Sequence, residues 1–125
     1  MSSIDAKNVQ HIGFILIPGF ALMSYASATE PLRAANLLAG REIYRLSSFS
    51  PDGAPALSSG GVPVPSAPLP GRGSGLSTVF VCAGGSPRDW HYPAVFACLR
   101  QLARERAAMR LRRHARNTGY LHLRS

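Results

Sequence analysis

A chain of 125 residues and 13.4 kDa carries 14 Lys+Arg against 6 Asp+Glu, a formal charge of +8. The excess is local. Residues 1–99 hold six basic and five acidic side chains, whereas residues 100–125 hold eight arginines against Glu105 alone. A nearly neutral body with a basic tail is not a basic domain, so the pI of about 10.8 does not by itself argue for a nucleic-acid-binding fold. The hydrophobic content of 46% suits one small core and argues against wholesale disorder. No internal period marks a repeat array. Cys82 and Cys98 make neither a disulfide framework nor a zinc site, so no metal and no cofactor is expected.

The most apolar run, IGFILIPGFALM at residues 12–23, is shorter than the roughly 20 residues a membrane span needs. Ala26-Ser27-Ala28 would suit a signal-peptide cleavage site, but Pro18-Gly19 break the run and Asp5 offsets Lys7. Residues 11–17 read instead as a strand covered on both faces and ended by Pro18-Gly19. The expected compartment is the cytoplasm, with no membrane partner.

Residues 20–38 predict a helix with Leu22, Tyr25, Ala26, Thr29, Leu32 and Ala35 near one face. Pro31 predicts a kink, or two helices meeting at Glu30-Pro31, and Gly40 a stop. Residues 42–50 form a second strand closed by Pro51-Asp52-Gly53. The Gly/Pro/Ser-rich residues 51–76 suit either a flexible linker or an irregular connection with a short edge strand near residues 62–64. With little chain left beyond them, a connection within one domain is the expectation. Residues 78–82 form a third strand, followed by Gly84-Gly85, a tight turn where α/β sheets also aim backbone N–H groups at ligands. Residues 93–106 predict a helix with Pro93 in its first turn and an apolar stripe of Val95, Leu99 and Leu102 with Phe96 and Ala103. Strands alternating with helices imply a parallel sheet with right-handed crossovers, and a further apolar strand is then expected but missing.

The block IGFILIPGFALMSYASATEPLRAANLLAGREIYRLSSFSPDG, residues 12–53, resembles the start of the ThiJ/PfpI-like domain of GlxA-like AraC-type transcriptional regulators. Glu30-Pro31-Leu32-Arg33-Ala34-Ala35-Asn36 is its most specific part. The likeness continues through Ser59-Gly60-Gly61, residues 79–82 and Gly84-Gly85, then weakly along residues 95–103. It implies a flavodoxin-like α/β fold of the class I glutamine amidotransferase-like superfamily, here the front portion only: a tail at 1–10, a partial sensor domain at 11–104 and a basic tail at 105–125. It also implies a non-enzymatic sensor of a small, nitrogenous effector, a homodimer in the intact relative, and DNA contact only through a C-terminal helix-turn-helix missing from this chain. Glu30, matching a helix-borne glutamate of the enzymes, is expected in a pocket with Pro18, Gly19, Gly84 and Gly85. The alternative from the same resemblance is a small cysteine-dependent amidotransferase or hydrolase. No nucleophile elbow follows the helix at 93–106, so no catalytic residue is assigned. Thr118-Gly119 follow no apolar strand.

Glu30 has a plainer reading as a helix carboxylate paired with Arg33. Cys82 and Cys98 read as core cysteines, Trp90 and His91 as surface loop, and His114 and His122 carry no ligand spacing. The tail, RERAAMRLRRHARNTGYLHLRS, has three readings: a nucleic-acid contact, a solvated extension of the helix, or an out-of-frame stretch of GC-rich coding DNA. The missing strand favours the last.

Overall fold

A computed structural model describes residues 8–85, 88 and 90–118, with backbone alone over 109–118. In chain order the elements are β1 (Gln10–Leu16), α1 (Leu22–Ala39), β2 (Tyr44–Ser50), β3 (Ala56–Leu57), β4 (Pro63–Val64), β5 (Ala67–Pro68), β6 (Thr78–Cys82) and α2 (Pro93–Thr118). Residues 1–7 and Asp89, Gly119 and His122, on which some sequence readings fall, lie outside the described residues.

The apolar run around residue 14 becomes the centre of the sheet. Strand order is β5-β2-β1-β6, and each pairing is parallel. Ile12 stands between Leu46 and Thr78, and Leu16 opposite Cys82. Alternation sends Ile12, Phe14 and Leu16 to one face and Ile15 to the other. Phe14 and Ile15 are both 0% exposed, so β1 is covered on both faces, as its unbroken apolar sequence predicts. The first face packs on Tyr25, Ala28 and Leu32 of α1. The second packs with Phe49 on Val95, Cys98 and Leu99 of α2. The expected parallel α/β sheet with flanking helices is thus present, with four strands rather than three.

Several local expectations change. α1 is one helix that runs through Pro31, not two helices. Proline withdraws the hydrogen bond to the carbonyl four residues earlier. That residue is Ser27, which is exposed like Pro31, so water can serve the freed carbonyl. Leu22 is 38% exposed and leaves the packed face. Gly40 caps the helix in the left-handed region, φ 69°, and donates its N–H to the Leu37 carbonyl. Asn36 then fastens the helix end to β2. Its Oδ1 accepts from the Ile43 and Tyr44 N–H groups at 2.8 and 2.9 Å, and its Nδ2 donates to the Tyr44 carbonyl at 2.8 Å.

Within 51–76, residues 63–64 pair antiparallel with β3 in a separate hairpin, while the edge strand of the main sheet is β5, against β2. On α2, Val95 is buried, but Phe96 is 49% exposed and Ala103 is exposed too, so the packed stripe is narrower than predicted. Trp90 is half-buried against the second core cluster rather than a surface residue. β6 is the other edge, and its Phe80 and Val81 are 44% and 45% exposed. α2 continues as helix to Thr118, past Arg106, whose guanidinium donates to the Ser77 carbonyl.

Candidate functional site: the carboxyl ends of β1 and β6

From β1 the chain passes through α1 to β2 on one side, and β6 later returns to the other side of β1. In an open parallel sheet, the crevice at such a reversal, beyond the carboxyl ends of the strands, is where ligands bind. Here it lies between β1 and β6, so the residues that follow them define the candidate site: Pro18-Gly19 and Ala83-Gly84-Gly85.

These two segments touch. The Ile17 N–H donates to the Cys82 carbonyl at 3.0 Å and prolongs the β1–β6 pairing by one step. On its other side the 17–20 strip is held by the small hairpin. Gly19 N–H donates to the Leu57 carbonyl at 2.8 Å, and Ser59 N–H to the Phe20 carbonyl at 2.8 Å. Gly19 has φ +90°, and a Cβ there would meet nothing within 4 Å, so the turn needs glycine for its backbone conformation. Gly84 is needed for space. A Cβ on it would lie 2.7 Å from the Gly19 oxygen and 3.3 Å from the Ala21 nitrogen. The Gly84 carbonyl accepts a 2.7 Å hydrogen bond from Trp90 Nε1, which ties the entry to α2 to the same loop. Gly85 follows at φ +68°.

α1 starts at this end of the sheet. Ala21 is its N-cap and supplies no side-chain cap, which leaves first-turn amides and the positive end of the helix dipole facing the crevice region.

Four of the five expected ligand residues, Pro18, Gly19, Gly84 and Gly85, therefore come together. Glu30 does not join them in a buried pocket. It lies five residues beyond Tyr25, about 140° around the helix from the packed face. Its side chain is 58% exposed and accepts from Arg33 Nη2 at 2.6 Å and Nε at 3.0 Å. The helix-face ion pair is thus the geometry found. Residues that sequence reasoning missed are Trp90 and the Ser58-Ser59 rung. Ser58 is buried and its Oγ accepts from the Val62 N–H at 3.0 Å. A lone tryptophan just after a glycine pair was the available signal for the first. For the second, Ser59-Gly60-Gly61 stood out in the sequence, but the pairing with Phe20 is long-range and has no local mark.

A cavity of about 820 Å³ lies elsewhere, at the opposite end of β1, lined by Gln10, Leu76, Leu102, Glu105 and Arg106 among others. Neither thiol is a primed nucleophile. Burial raises the pKa of Cys82, and burial followed by the Glu105 charge raises that of Cys98, whose Sγ donates to the Pro70 carbonyl. Among the described residues no group of three or more His, Cys, Asp or Glu could hold a metal ion, and no helix is long and apolar enough to cross a membrane.

With this geometry in place, comparison with known proteins gives a consistent answer. The chain is 55% identical over 104 residues to the HTH-type transcriptional regulator GlxA of Rhizobium meliloti (strain 1021), covering 82% of this chain and 32% of that protein. It is 42% identical over 78 residues to the HTH-type transcriptional regulator GbdR of Pseudomonas aeruginosa, covering 62% of this chain and 21% of that one. Against the HTH-type transcriptional regulator CdhR of Pseudomonas aeruginosa it is 41% identical over 97 residues, 76% of this chain and 28% of that one.

Its homologues are HTH-type transcriptional regulators.

A solved structure of an AraC family transcriptional regulator from Pseudomonas putida matches with a TM-score of 0.68 and 28% identity, over 77% of this chain and 59% of that one. No family model matches. The chain spans about a third or less of the length of these curated relatives. Among the described residues, α1 and α2 are separated in the chain by strands β2 to β6.

Proposed function

We propose that this chain is the front part of a ThiJ/PfpI-like, effector-sensing domain of an AraC-type, GlxA-like regulator, acting in the cytoplasm and without catalysis of its own. The observation that carries the reading is the junction of Gly19 with Gly84 at the reversal of strand order, in a chain 55% identical to a transcriptional regulator over 104 residues. Loops at that place in an α/β sheet bind small molecules through backbone groups. The effector proposed is a small nitrogenous molecule, and Pro18, Gly19, Gly84 and Gly85 are its proposed contacts. Glu30 is left out, because Arg33 already occupies its carboxylate on the outer face of α1. In the assembled regulator the effector would shift a homodimer between DNA-binding states, with the sequence read by the helix-turn-helix part that the relatives' names record.

The test is a thermal-shift screen with amines, quaternary ammonium compounds and amino acids. A ligand present at about 100 times its Kd stabilises the fold by about 2.7 kcal/mol, a rise in Tm of roughly 10 °C. The same ligand should lose its effect on Gly84→Ala. A screen in which no compound raises Tm, or in which the shift survives Gly84→Ala, sinks the proposal.

A further inference from the structure

We propose that the outer face of α1 is a homodimer surface, on which a second copy of this chain lays its own α1 antiparallel. This surface would be that of the proposed homodimer, and its role rests on that reading, though its geometry does not. A helix covered by a sheet on one side should turn polar side chains to water on the other. α1 instead leaves Met23, Leu37 and Leu38 80%, 75% and 88% exposed. At about 100° per residue, positions 23, 27, 30, 34, 37 and 38 fall in one stripe about 100° wide. The stripe lies opposite Tyr25, Ala28 and Leu32, which face the sheet. It is apolar at both ends, small in the middle at Ser27 and Ala34, and edged by the Glu30–Arg33 ion pair.

That order is self-complementary, which selects a second copy as the occupant. In a two-fold antiparallel pair centred between residues 30 and 31, Met23 meets Leu38 of the other copy and lies beside its Leu37. Ser27 meets Ala34, and small residues there let the two backbones approach. The charges fit as well. Both Glu30 carboxylates come to one edge of the pair, and each Arg33 stands about 3 Å along the axis from the other copy's Glu30, against about 4.5 Å from its own. Arg33 Nε and Nη2 already serve its own Glu30, and Nη1 can turn to the second carboxylate. A parallel pair would send the two ion pairs to opposite edges, where no such bridge forms, and would align the helix dipoles unfavourably. Three nearly bare large side chains from each copy make a contact at the small end, below about 1,200 Å² in total, so the dimer should be weak, with a Kd of about 10–100 µM.

The experiment is sedimentation equilibrium of the whole chain, from roughly tenfold below to tenfold above that Kd. Met23→Lys and Leu38→Glu should each weaken the dimer by about tenfold or more, because each buries an unpaired charge twice per pair. Mixed in equal amounts, the two variants should dimerise about tenfold more tightly than either alone. Only the mixed pair sets Lys against Glu at one end and keeps Met against Leu at the other. Arg33→Glu should also disrupt the dimer, and Glu30→Arg added to it should restore the dimer, which separates charge from fold. All four positions are exposed, so every variant should keep the parent's circular dichroism. The proposal is overturned by a parent that stays monomeric, by single variants that dimerise as the parent does, or by a mixture no tighter than its components. A dimer that ignores these changes but dissolves with Val81→Lys would join through the β6 edge. That result would refute this surface and leave the sensing reading intact, which the thermal-shift screen judges separately.

Discussion

Asn36→Ala tests how the helix layer is fixed to the sheet. The side chain makes three hydrogen bonds, to the Ile43 N–H, the Tyr44 N–H and the Tyr44 carbonyl, all at 2.8–2.9 Å. Each is worth about 0.5–1.5 kcal/mol net, and truncation strands both donors and the acceptor. Asn36 is half-buried, so water replaces part of what is lost. The expected cost is about 2–3 kcal/mol, a large share of the 5–15 kcal/mol typical of a domain. Urea unfolding followed by circular dichroism is the assay. With a slope near 1.5 kcal/mol per molar, the midpoint should fall by about 1.3–2 M at unchanged slope. Leu38→Ala, at a side chain 88% exposed on the same helix, should stay within about 0.5 kcal/mol of the parent. If Asn36→Ala also costs less than about 0.5 kcal/mol, water already serves these backbone groups and the fastening argument fails.

Three further outcomes are expected. Gly84→Ala should cost about 1–3 kcal/mol, because its Cβ would sit 2.7 Å from the Gly19 carbonyl oxygen, a backbone atom that cannot turn aside; an unchanged melting temperature would refute the close packing of the two loops. Both thiols have pKa values raised by burial in the folded chain, so the unfolded chain loses these protons first and stability should decline as pH rises above the ordinary thiol value of about 8.5. Melts of the parent and a Cys82→Ala/Cys98→Ala variant between about pH 7 and pH 10 check this, and equal pH dependence would contradict it. Val81→Lys places a charge on the open β6 edge where the side chain is 45% exposed, and should reduce light scattering on concentration without lowering the melt by more than about 0.5 kcal/mol; unchanged scattering would place the sticky surface elsewhere.

Much of the framework was legible in one dimension. The unbroken apolar stretch ended by Pro18-Gly19 announced a central strand buried on both faces, because only a parallel sheet covered twice accepts such a sequence. Gly40 announced the end of α1, and Gly84-Gly85 the loop after β6, since glycine relieves local steric limits that a reader can apply residue by residue. For Glu30 the sequence offered both a pocket and a pairing with Arg33, and could not choose between them. Its motif suggested a pocket, but its angle around α1 depends on which face the sheet claims, and the sheet claims Tyr25, Ala28 and Leu32. The same limit hid the bond from Trp90 to the Gly84 carbonyl and the two-residue strand at Ala67–Pro68, whose pairing rests on β2 rather than on its own sequence.

Sequence alone therefore determined the three longer strands, the two helices, the turn glycines and the concentration of charge in residues 100–125, because these follow from local sterics and composition. Tertiary structure alone decided that Gly19 and Gly84 meet, which face of α1 the sheet covers, and that β6 is an edge strand among the described residues, because each depends on pairing between segments far apart in the chain.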